Sequence, residues 1–172
     1  MTGAPLQDAP LRDAPPEAEQ VEERIMIHAN ALLIGAAGVL LRGPSGSGKS
    51  GLCLELIHLA EGRGFFARLI GDDRIALVRR HGRLLARPHP AIAGAIEERG
   101  RGVLPAEFEP AGVLRCLVDL CGQRDEAPPR YPPEGGAEAK LCGVTLPRLA
   151  ADAREAGAAR KILSFIHQFE AF

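Results

Sequence analysis

The stretch "GPSGSGKS", residues 43–50, has the residue types and spacing of a phosphate-binding loop. Its glycines let backbone N–H groups turn toward phosphate oxygens, beside the positive end of the helix expected to follow. Lys49 is expected to reach the outer phosphates, and the Ser50 hydroxyl to ligate Mg²⁺. The pattern predicts bound phosphate, but it leaves open hydrolysis, transfer to a small molecule or transfer to a protein. The predicted cofactor-binding residues are Gly43, Pro44, Ser45, Gly46, Ser47, Gly48, Lys49 and Ser50.

Two adjacent acids, Asp72 and Asp73, follow the apolar run "ARLIG". This run is expected to form a strand parallel to the loop strand and beside it, which would bring the acids near the loop. Repulsion between neighbouring carboxylates suits one of them to general-base work. If Asp72 faces the phosphates, it could take the proton of an attacking hydroxyl. The alternative is that both acids merely solvate a turn.

Three further residues are candidates for the same chemistry. Glu97 and Arg99 lie two residues apart in "IEERG", and an extended segment would point both to one side. The carboxylate could hold a metal and the guanidinium could meet phosphate, unless the segment is a surface charge cluster. His28 lies at the end of a predicted strand, where a structural or surface role is the alternative.

The elements that must position these residues follow from the apolar periodicity. The first segment, "RIMIHANALLIG", predicts two strands with a turn at Ala29-Asn30, and the apolar run ending at Gly43 predicts a buried strand. The residues after the loop predict a helix that stops near Gly62. The later segments predict a hairpin turning at His81-Gly82, loop or short helix over 89–104, a strand over 112–120, a Pro-rich loop over 122–140 and a C-terminal helix from residue 146.

Composition places the chain among globular proteins of one domain. It has 172 residues and a formal net charge of -1, and this charge argues against nucleic acid as the main partner. Residues 1–23 are rich in Pro, Ala and acids and contain two near copies of a short unit, "LQDAP" and "LRDAP". We expect a disordered tail there, with or without a docking role, and a folded domain over residues 24–172. The sequence contains no signal-peptide pattern and no apolar run long enough for a membrane helix, so we expect a soluble cytoplasmic protein.

Taken in order, these motifs resemble those of the HPr kinase/phosphorylases, bacterial serine kinases of the phosphocarrier protein HPr. The resemblance rests on His28 fifteen residues ahead of Gly43, on the loop, on the acids of "GDDRI", and on "IEERGRGVL". The last stretch is similar to the family's E-x-R-G-x-G signature. The likeness covers residues 24 to about 120 and is thin beyond them, so the chain resembles a short form comprising the C-terminal catalytic domain.

The resemblance implies that Mg-ATP is held at the loop and that its γ-phosphate passes to a seryl hydroxyl of HPr. It also implies the reverse reaction, in which inorganic phosphate attacks phosphoserine and yields pyrophosphate. Asp72 would be the base in one direction and the acid in the other, and His28 and Lys49 would stabilise the transferring group. Ser50 and Glu97 would bind Mg²⁺. Asp73, Arg99 and Arg130 would complete the catalytic set, the last from a later segment that matches only loosely.

The fold that the resemblance implies is α/β, a P-loop kinase domain similar to phosphoenolpyruvate carboxykinase, with a twisted mixed sheet flanked by helices. It also implies homo-hexamers. Two other functions stay open at this point. One is a nucleotide-sensing module that binds ATP and a partner without transfer, and the other is a small-molecule P-loop kinase. The kinase of HPr is favoured because both acid positions and His28 are filled.

Overall fold

The structure is a computed structural model that describes residues 24–122 and 127–169. Its strands are β1 (Arg24–Ile34), β2 (Ala37–Arg42), β3 (Ala67–Gly71), β4 (Arg74–Arg80), β5 (Arg83–Pro88), β6 (Ala95–Glu98), β7 (Gly102–Pro105), β8 (Gly112–Leu120), β9 (Glu138–Leu141) and β10 (Val144–Ala151). Its helices are α1 (Lys49–Glu61) and α2 (Ala158–Ile166), with short 3-10 helices at Pro90–Ile92 and His167–Phe169. The predicted tail, residues 1–23, lies outside the described residues.

Two long strands, β1 and β8, are each shared by two halves of one eight-stranded sheet. The first five residues of β1 pair with β4, and β4 continues through β5 to the start of β8, all antiparallel. The second half of β1 pairs with β2 on one side and with β3 on the other. Because β2 and β10 both run parallel to β8, this half is mixed. The predicted α/β fold with a mixed sheet flanked by helices is therefore confirmed.

Alternation along β1 divides its apolar residues between two cores. Leu32 and Ile34 pack with α1 and α2 in one core. Ala29 and Ala31 face the other core, which lies between the two halves of the sheet and includes Leu77 and Leu117. The mixed half is thus buried on both faces, whereas the outer face of the antiparallel half carries exposed residues.

Several sequence predictions about the elements are confirmed. The loop lies between β2 and α1, and Gly62 caps the end of α1. The β4–β5 hairpin turns at His81-Gly82, both with positive φ, as the common two-residue turn requires. The predicted strand over residues 112–120 is β8. Among the described residues, no helix has the length and apolarity needed to span a membrane.

Other predictions were wrong, and each error has a physical cause. The turn at Ala29-Asn30 does not exist, because β1 continues through these residues and only changes partners there. Most of the segment 89–104 forms the hairpin β6–β7, which was not predicted because the glycines interrupt the apolar alternation of the strands. The first part of the predicted C-terminal helix is β10, since its parallel pairing with β8 outweighs the helix preference of its alanines.

Candidate functional site

The phosphate loop is a tight turn whose conformation needs its glycines. Gly46 and Gly48 have φ of 77° and 90°, values that residues with a Cβ rarely adopt. Gly43 has a negative φ and is needed for a different reason. A Cβ on Gly43 would lie 2.6 Å from Ser47 Oγ and 2.9 Å from the carbonyl oxygen of Leu120. The sequence therefore folds this segment as the close backbone turn that phosphate binding requires.

Lys49 begins α1, and its side chain folds back over the loop. Its Nζ donates to the carbonyl oxygens of Gly43 and Pro44, both at 3.1 Å. Burial lowers the pKa of this amine, although the charges of Asp73 and Asp72 act in the opposite direction. The amine is thus a desolvated cation held at the mouth of the loop, ready to meet an anion.

Asp72 is buried, with 6% of its surface exposed, and both of its carboxylate oxygens accept hydrogen bonds. Oδ1 accepts from the Ser50 hydroxyl at 2.8 Å and from Nδ2 of Asn30, and Oδ2 accepts from the backbone N–H of Glu97 at 2.9 Å. A carboxylate offers about four acceptor positions, so this one keeps capacity for a further donor. The carboxylate stands directly against the first turn of the phosphate-loop helix.

The strand order that brings Asp72 to the loop differs from the prediction. β3 has the same direction as β2, as expected, because both are antiparallel to β1. It is not the neighbour of β2, since β1 lies between them. The acids still reach the loop because the carboxyl ends of β2 and β3 lie at the same edge of the sheet.

Asp72 and Asp73 point to different surroundings, so they do not form a facing carboxylate pair. Asp73 has a φ of 62°, in the left-handed region, and its side chain is 63% exposed. Its Oδ1 lies 2.6 Å from Nε2 of His28. His28 is opposite Arg74 in the β1–β4 pairing, which places it next to the acid turn. The structure thus brings His28, Asp73, Asp72, Ser50 and Lys49 into one region.

The stretch "IEERGRGVL", residues 96–104, contributes to the site mainly through its backbone. Glu97 lies in β6 with an exposed side chain, and its N–H holds Asp72. β6 ends at Glu98, so Arg99 is in the hairpin turn and not in the extended register that the sequence suggested. Glu98 forms an ion pair with Arg101, 2.7 Å apart. Arg130 lies over the ring of Tyr131 at 5.5 Å, an exposed local contact. The roles of Glu97, Arg99 and Arg130, like those of the other site residues, stay predictions.

Two residues of the site were missed from the sequence. Asn30 is fully buried, and its amide contacts three neighbours: Nδ2 donates to Asp72 and to Ser50 Oγ at 3.3 Å, and Oδ1 accepts from the N–H of Asp73 at 3.3 Å. The available signal was an Asn inside an otherwise apolar strand pattern, but the predicted turn at Ala29-Asn30 already accounted for this Asn. The other missed residue is Asp119.

Asp119 anchors the strand that leads into the loop. Its carboxylate accepts two hydrogen bonds from Arg42, at 2.8 and 2.9 Å, and one from Arg148 at 2.6 Å. Burial alone would raise the pKa of Asp119, but the hydrogen bonds from Arg42 and Arg148 outweigh it and hold the pKa below its ordinary value. Because Arg42 directly precedes Gly43, this network fixes where the phosphate loop begins.

A groove of about 460 Å³ lies between α1 and the β6–β7 hairpin. It is lined by Gly51, Leu54 and His58 on one side and by Ile96, Glu98 and Leu104 on the other, with further hairpin and helix residues. Gly51 follows Ser50, and Ile96 precedes Glu97. The groove therefore opens beside the region that contains Asp72, and its volume exceeds that of a polypeptide side chain.

Comparison with known proteins adds to this geometry. The family model of the HPr serine kinase C-terminal domain matches residues 19–108. A protein of Mycoplasma mycoides named HPr kinase/phosphorylase is 43% identical over 79 residues, which are 44% of this chain and 22% of that protein. A protein of the same name from Streptococcus thermophilus is 31% identical over 139 residues, 76% of this chain and 43% of that protein. The chain thus spans less than half the length of these curated relatives.

One solved structure with the same fold is that of the Hpr(Ser) kinase/phosphatase from Coxiella burnetii. It matches with a TM-score of 0.65 at 22% identity, over 84% of this chain and 96% of that chain. At this identity the match establishes the fold.

Proposed function

The chain belongs to the family of the HPr serine kinase C-terminal domain, and on that premise we propose that it is an ATP-dependent kinase of a seryl hydroxyl on HPr. The observation that carries the proposal is the buried carboxylate of Asp72, 2.8 Å from the Ser50 hydroxyl in the first turn after the phosphate loop. A carboxylate at this place can accept the proton of a hydroxyl that attacks the outer phosphate.

The loop residues fit a nucleoside triphosphate. The side-chain oxygen of Ser47 is buried and has no hydrogen-bond partner within the described residues, and Lys49 points its amine at the loop carbonyls. A phosphate group would supply acceptors to both. Lys49 would hold charge on the outer phosphates, and the backbone N–H groups of the loop would hold the inner ones.

Mg²⁺ would be held by Ser50 and by the nucleotide's phosphates, with Glu97 as a candidate ligand from β6. The donor set fits, because hydroxyl and carboxylate oxygens are the ligands that Mg²⁺ takes in phosphoryl-transfer sites. In the described part of the chain, no three His, Cys, Asp or Glu side chains cluster as a metal site, so the protein alone offers an incomplete set. When bound, the metal would neutralise charge that develops on the transferring group.

The remaining residues orient the reaction. Asn30 and the N–H of Glu97 fix the Asp72 carboxylate, and Asp119 fixes the entry into the loop through Arg42. We propose that His28, 49% exposed and paired with Asp73, donates to phosphate oxygens. The groove between α1 and β6–β7 is the site we propose for the acceptor segment, because it opens beside Asp72.

The finer features follow from the same premise. We propose that the protein also catalyses phosphorolysis, with inorganic phosphate in the loop, Asp72 as the acid and pyrophosphate as the product. We propose a cytoplasmic homo-hexamer, in which Arg99 and Arg130 complete the catalytic set. Each of these features needs its own measurement, beginning with sedimentation of the purified chain.

The test is to incubate the purified protein with HPr, Mg²⁺ and labelled ATP, and then to chase with phosphate. Label on a serine of HPr supports the kinase, and release of pyrophosphate in the chase supports phosphorolysis. In Asp72→Asn we expect transfer to be lost while ATP still binds. The matched control is Glu107→Gln, an exposed acid paired with Arg68, which should transfer as the parent does. Binding of ATP without transfer under all conditions favours a sensor module, and transfer to a small hydroxyl compound favours the other kinase class.

A further inference from the structure

One face of the antiparallel half of the sheet carries a concentration of arginines. In the β1–β4 pairing Arg24 is opposite Val78 and His28 is opposite Arg74, and in the β4–β5 pairing Arg80 is opposite Arg83. Directly opposed residues of antiparallel strands point to the same side of a sheet. The five arginines on this side are all exposed; we call them the basic face: Arg24, Arg74, Arg80, Arg83 and Arg87.

Apolar side chains lie among these arginines. Met26 is 46% exposed, and Leu85 is half-buried. The same side of β1 is covered by helices farther along, at Leu32 and Ile34. Within the described strands β1, β4 and β5 no Asp or Glu lies among these residues, and exposed Asp73 only borders them. A surface that mixes apolar residues with arginines suits an acidic polypeptide segment with apolar side chains.

The chain itself contains such a segment. Residues 1–23 include six acidic residues, at positions 8, 13, 17, 19, 22 and 23, against one basic residue, Arg12. The repeated unit places a leucine two residues before an aspartate twice, as Leu6 with Asp8 and Leu11 with Asp13. The segment ends where β1 begins, because Glu23 is bonded to Arg24 of the basic face.

The length of the acidic segment 1–23 matches the size of the basic face. Strands lie about 4.8 Å apart, so β1 to β5 spans roughly 10 Å. The six steps from Arg74 to Arg80 in β4 cover about 20 Å along the strand. A Pro-rich chain extends by about 3.1 Å per residue, so the five-residue period of the repeat corresponds to about 15 Å. Both Leu-x-Asp units can therefore lie over the basic face at once.

We propose that the acidic segment 1–23 binds the basic face of its own chain, with its aspartates and glutamates against the arginines and its leucines against Met26 and Leu85. The basic face borders His28 and Asp73, so the bound segment reaches the rim of the phosphate site. The proposal does not depend on the proposed reaction, because it concerns charge and contact within the chain. A short tether gives an effective concentration on the order of millimolar, so a contact of millimolar affinity would be about half formed.

The test uses the full chain with a nitroxide label at position 9, between the two Leu-x-Asp units, introduced as Ala9→Cys. Cys121 and Cys142 are replaced by serine. Cys53 and Cys116 are buried, and burial raises the pKa of the Cys116 thiol to about 12, so neither should be labelled. Paramagnetic broadening of backbone amide signals then reports which strands the segment approaches.

We expect the amides of β4 and β5 to broaden more than those of β9 and β10, and the effect to fall at least threefold between 50 and 500 mM salt. In Arg83→Glu/Arg87→Glu the effect should fall at least twofold, and Asp8→Lys/Asp13→Lys in the same chain should restore it. The matched control is Arg63→Glu/Arg160→Glu, two exposed arginines outside this face, which should broaden as the parent does.

Three results would overturn the proposal. One is uniform broadening, or broadening centred on another surface, in the parent chain. Another is an equal effect of the control reversal. The third is broadening seen only when a labelled chain is mixed with an isotope-labelled chain that has no nitroxide, since this would assign the contact to a second copy. The salt series requires no charge reversal, so it decides even if a reversal variant misfolds.

Discussion

Asn30→Ala tests whether the Asp72 carboxylate is held in place by the buried amide. The substitution removes one hydrogen bond to a charged oxygen, which contributes about 1.5–3 kcal/mol, and two longer bonds of about 0.5–1 kcal/mol each. We therefore expect the free energy of unfolding to fall by about 3 kcal/mol. This is a large fraction of the roughly 5–15 kcal/mol that stabilises a domain, yet the protein should remain folded.

The measurement is urea unfolding of the parent, Asn30→Ala, Asp72→Ala and the double variant, with an unchanged denaturant slope as the condition for comparison. The coupling between the two sites should be about 1.5–3 kcal/mol. Ser47→Ala is the matched control for stability, since Ser47 is another buried polar residue of the site and its hydroxyl lacks a hydrogen-bond partner among the described residues. Its unfolding free energy should change by less than about 0.5 kcal/mol.

The functional readout separates positioning from mere stability. At a temperature where both proteins are folded, Asn30→Ala should lower the kcat of phosphate transfer and leave the KM for ATP close to that of the parent, because Lys49 and the loop are untouched. If the effects of Asn30→Ala and Asp72→Ala on stability add within about 0.5 kcal/mol, the amide does not hold the carboxylate and the reasoning is refuted.

Three further predictions concern the loop and its support. Lys49→Met should raise the urea midpoint of the protein without nucleotide at pH 7, because the lowered pKa of Lys49 means that folding disfavours the charged amine. A lower midpoint would contradict this. The same substitution should weaken ATP binding, measured by calorimetry, about 30–100-fold. Asp119→Asn should cost about 2 kcal/mol at neutral pH, since it breaks charged hydrogen bonds to two arginines. Because the pKa of the Asp119 carboxyl is lowered in the fold, the carboxylate stabilises the protein above its ordinary pKa of 3.8. This stabilisation is lost as the pH falls through the folded pKa, so the difference between parent and variant should shrink below pH 3.8 and not above it. Gly43→Ala should destabilise the protein by about 1–3 kcal/mol because the added Cβ would meet the carbonyl oxygen of Leu120. Gly51→Ala, whose Cβ would have nothing within 4 Å, should stabilise α1 by up to about 1 kcal/mol. Equal effects of the two substitutions in urea unfolding would rule out the steric argument.

The strand, loop and helix around residues 43–50 were predicted correctly from the sequence. The loop, its helix and the residues Lys49 and Ser50 could be identified because their chemistry lies in one continuous stretch with a fixed spacing. The acid pair was found because two carboxylates after an apolar run are unusual. The prediction failed where the outcome depends on which strands pair, since pairing is decided by burial and packing across the sheet and not by local pattern.

The assumed turn at Ala29-Asn30 shows how an error in the fold becomes an error in the site. The sequence predicts a turn at Ala29-Asn30 because a small residue and an Asn commonly form turns. In the structure both are buried, and the backbone N–H of Ala29 donates to the carbonyl of Asp73 at 3.3 Å. The same Asn, read as part of a strand, would have been a buried amide in need of hydrogen-bond partners.

The continuity of β1 is also what assembles the site. Residues two apart in a strand point to the same side and lie about 6.5–7 Å apart, so His28 and Asn30 share one side of β1. Each then contacts a different member of the acid pair, His28 the side chain of Asp73 and Asn30 that of Asp72. A turn between them would have separated these contacts. The two carboxylates lie in different surroundings, so one strand can hold the inner acid by a buried amide and the outer acid by an exposed imidazole. The spacing of His28 ahead of the loop therefore matters through the strand that carries it, which must run unbroken from the β4 pairing at His28 into the β2 pairing at Asn30.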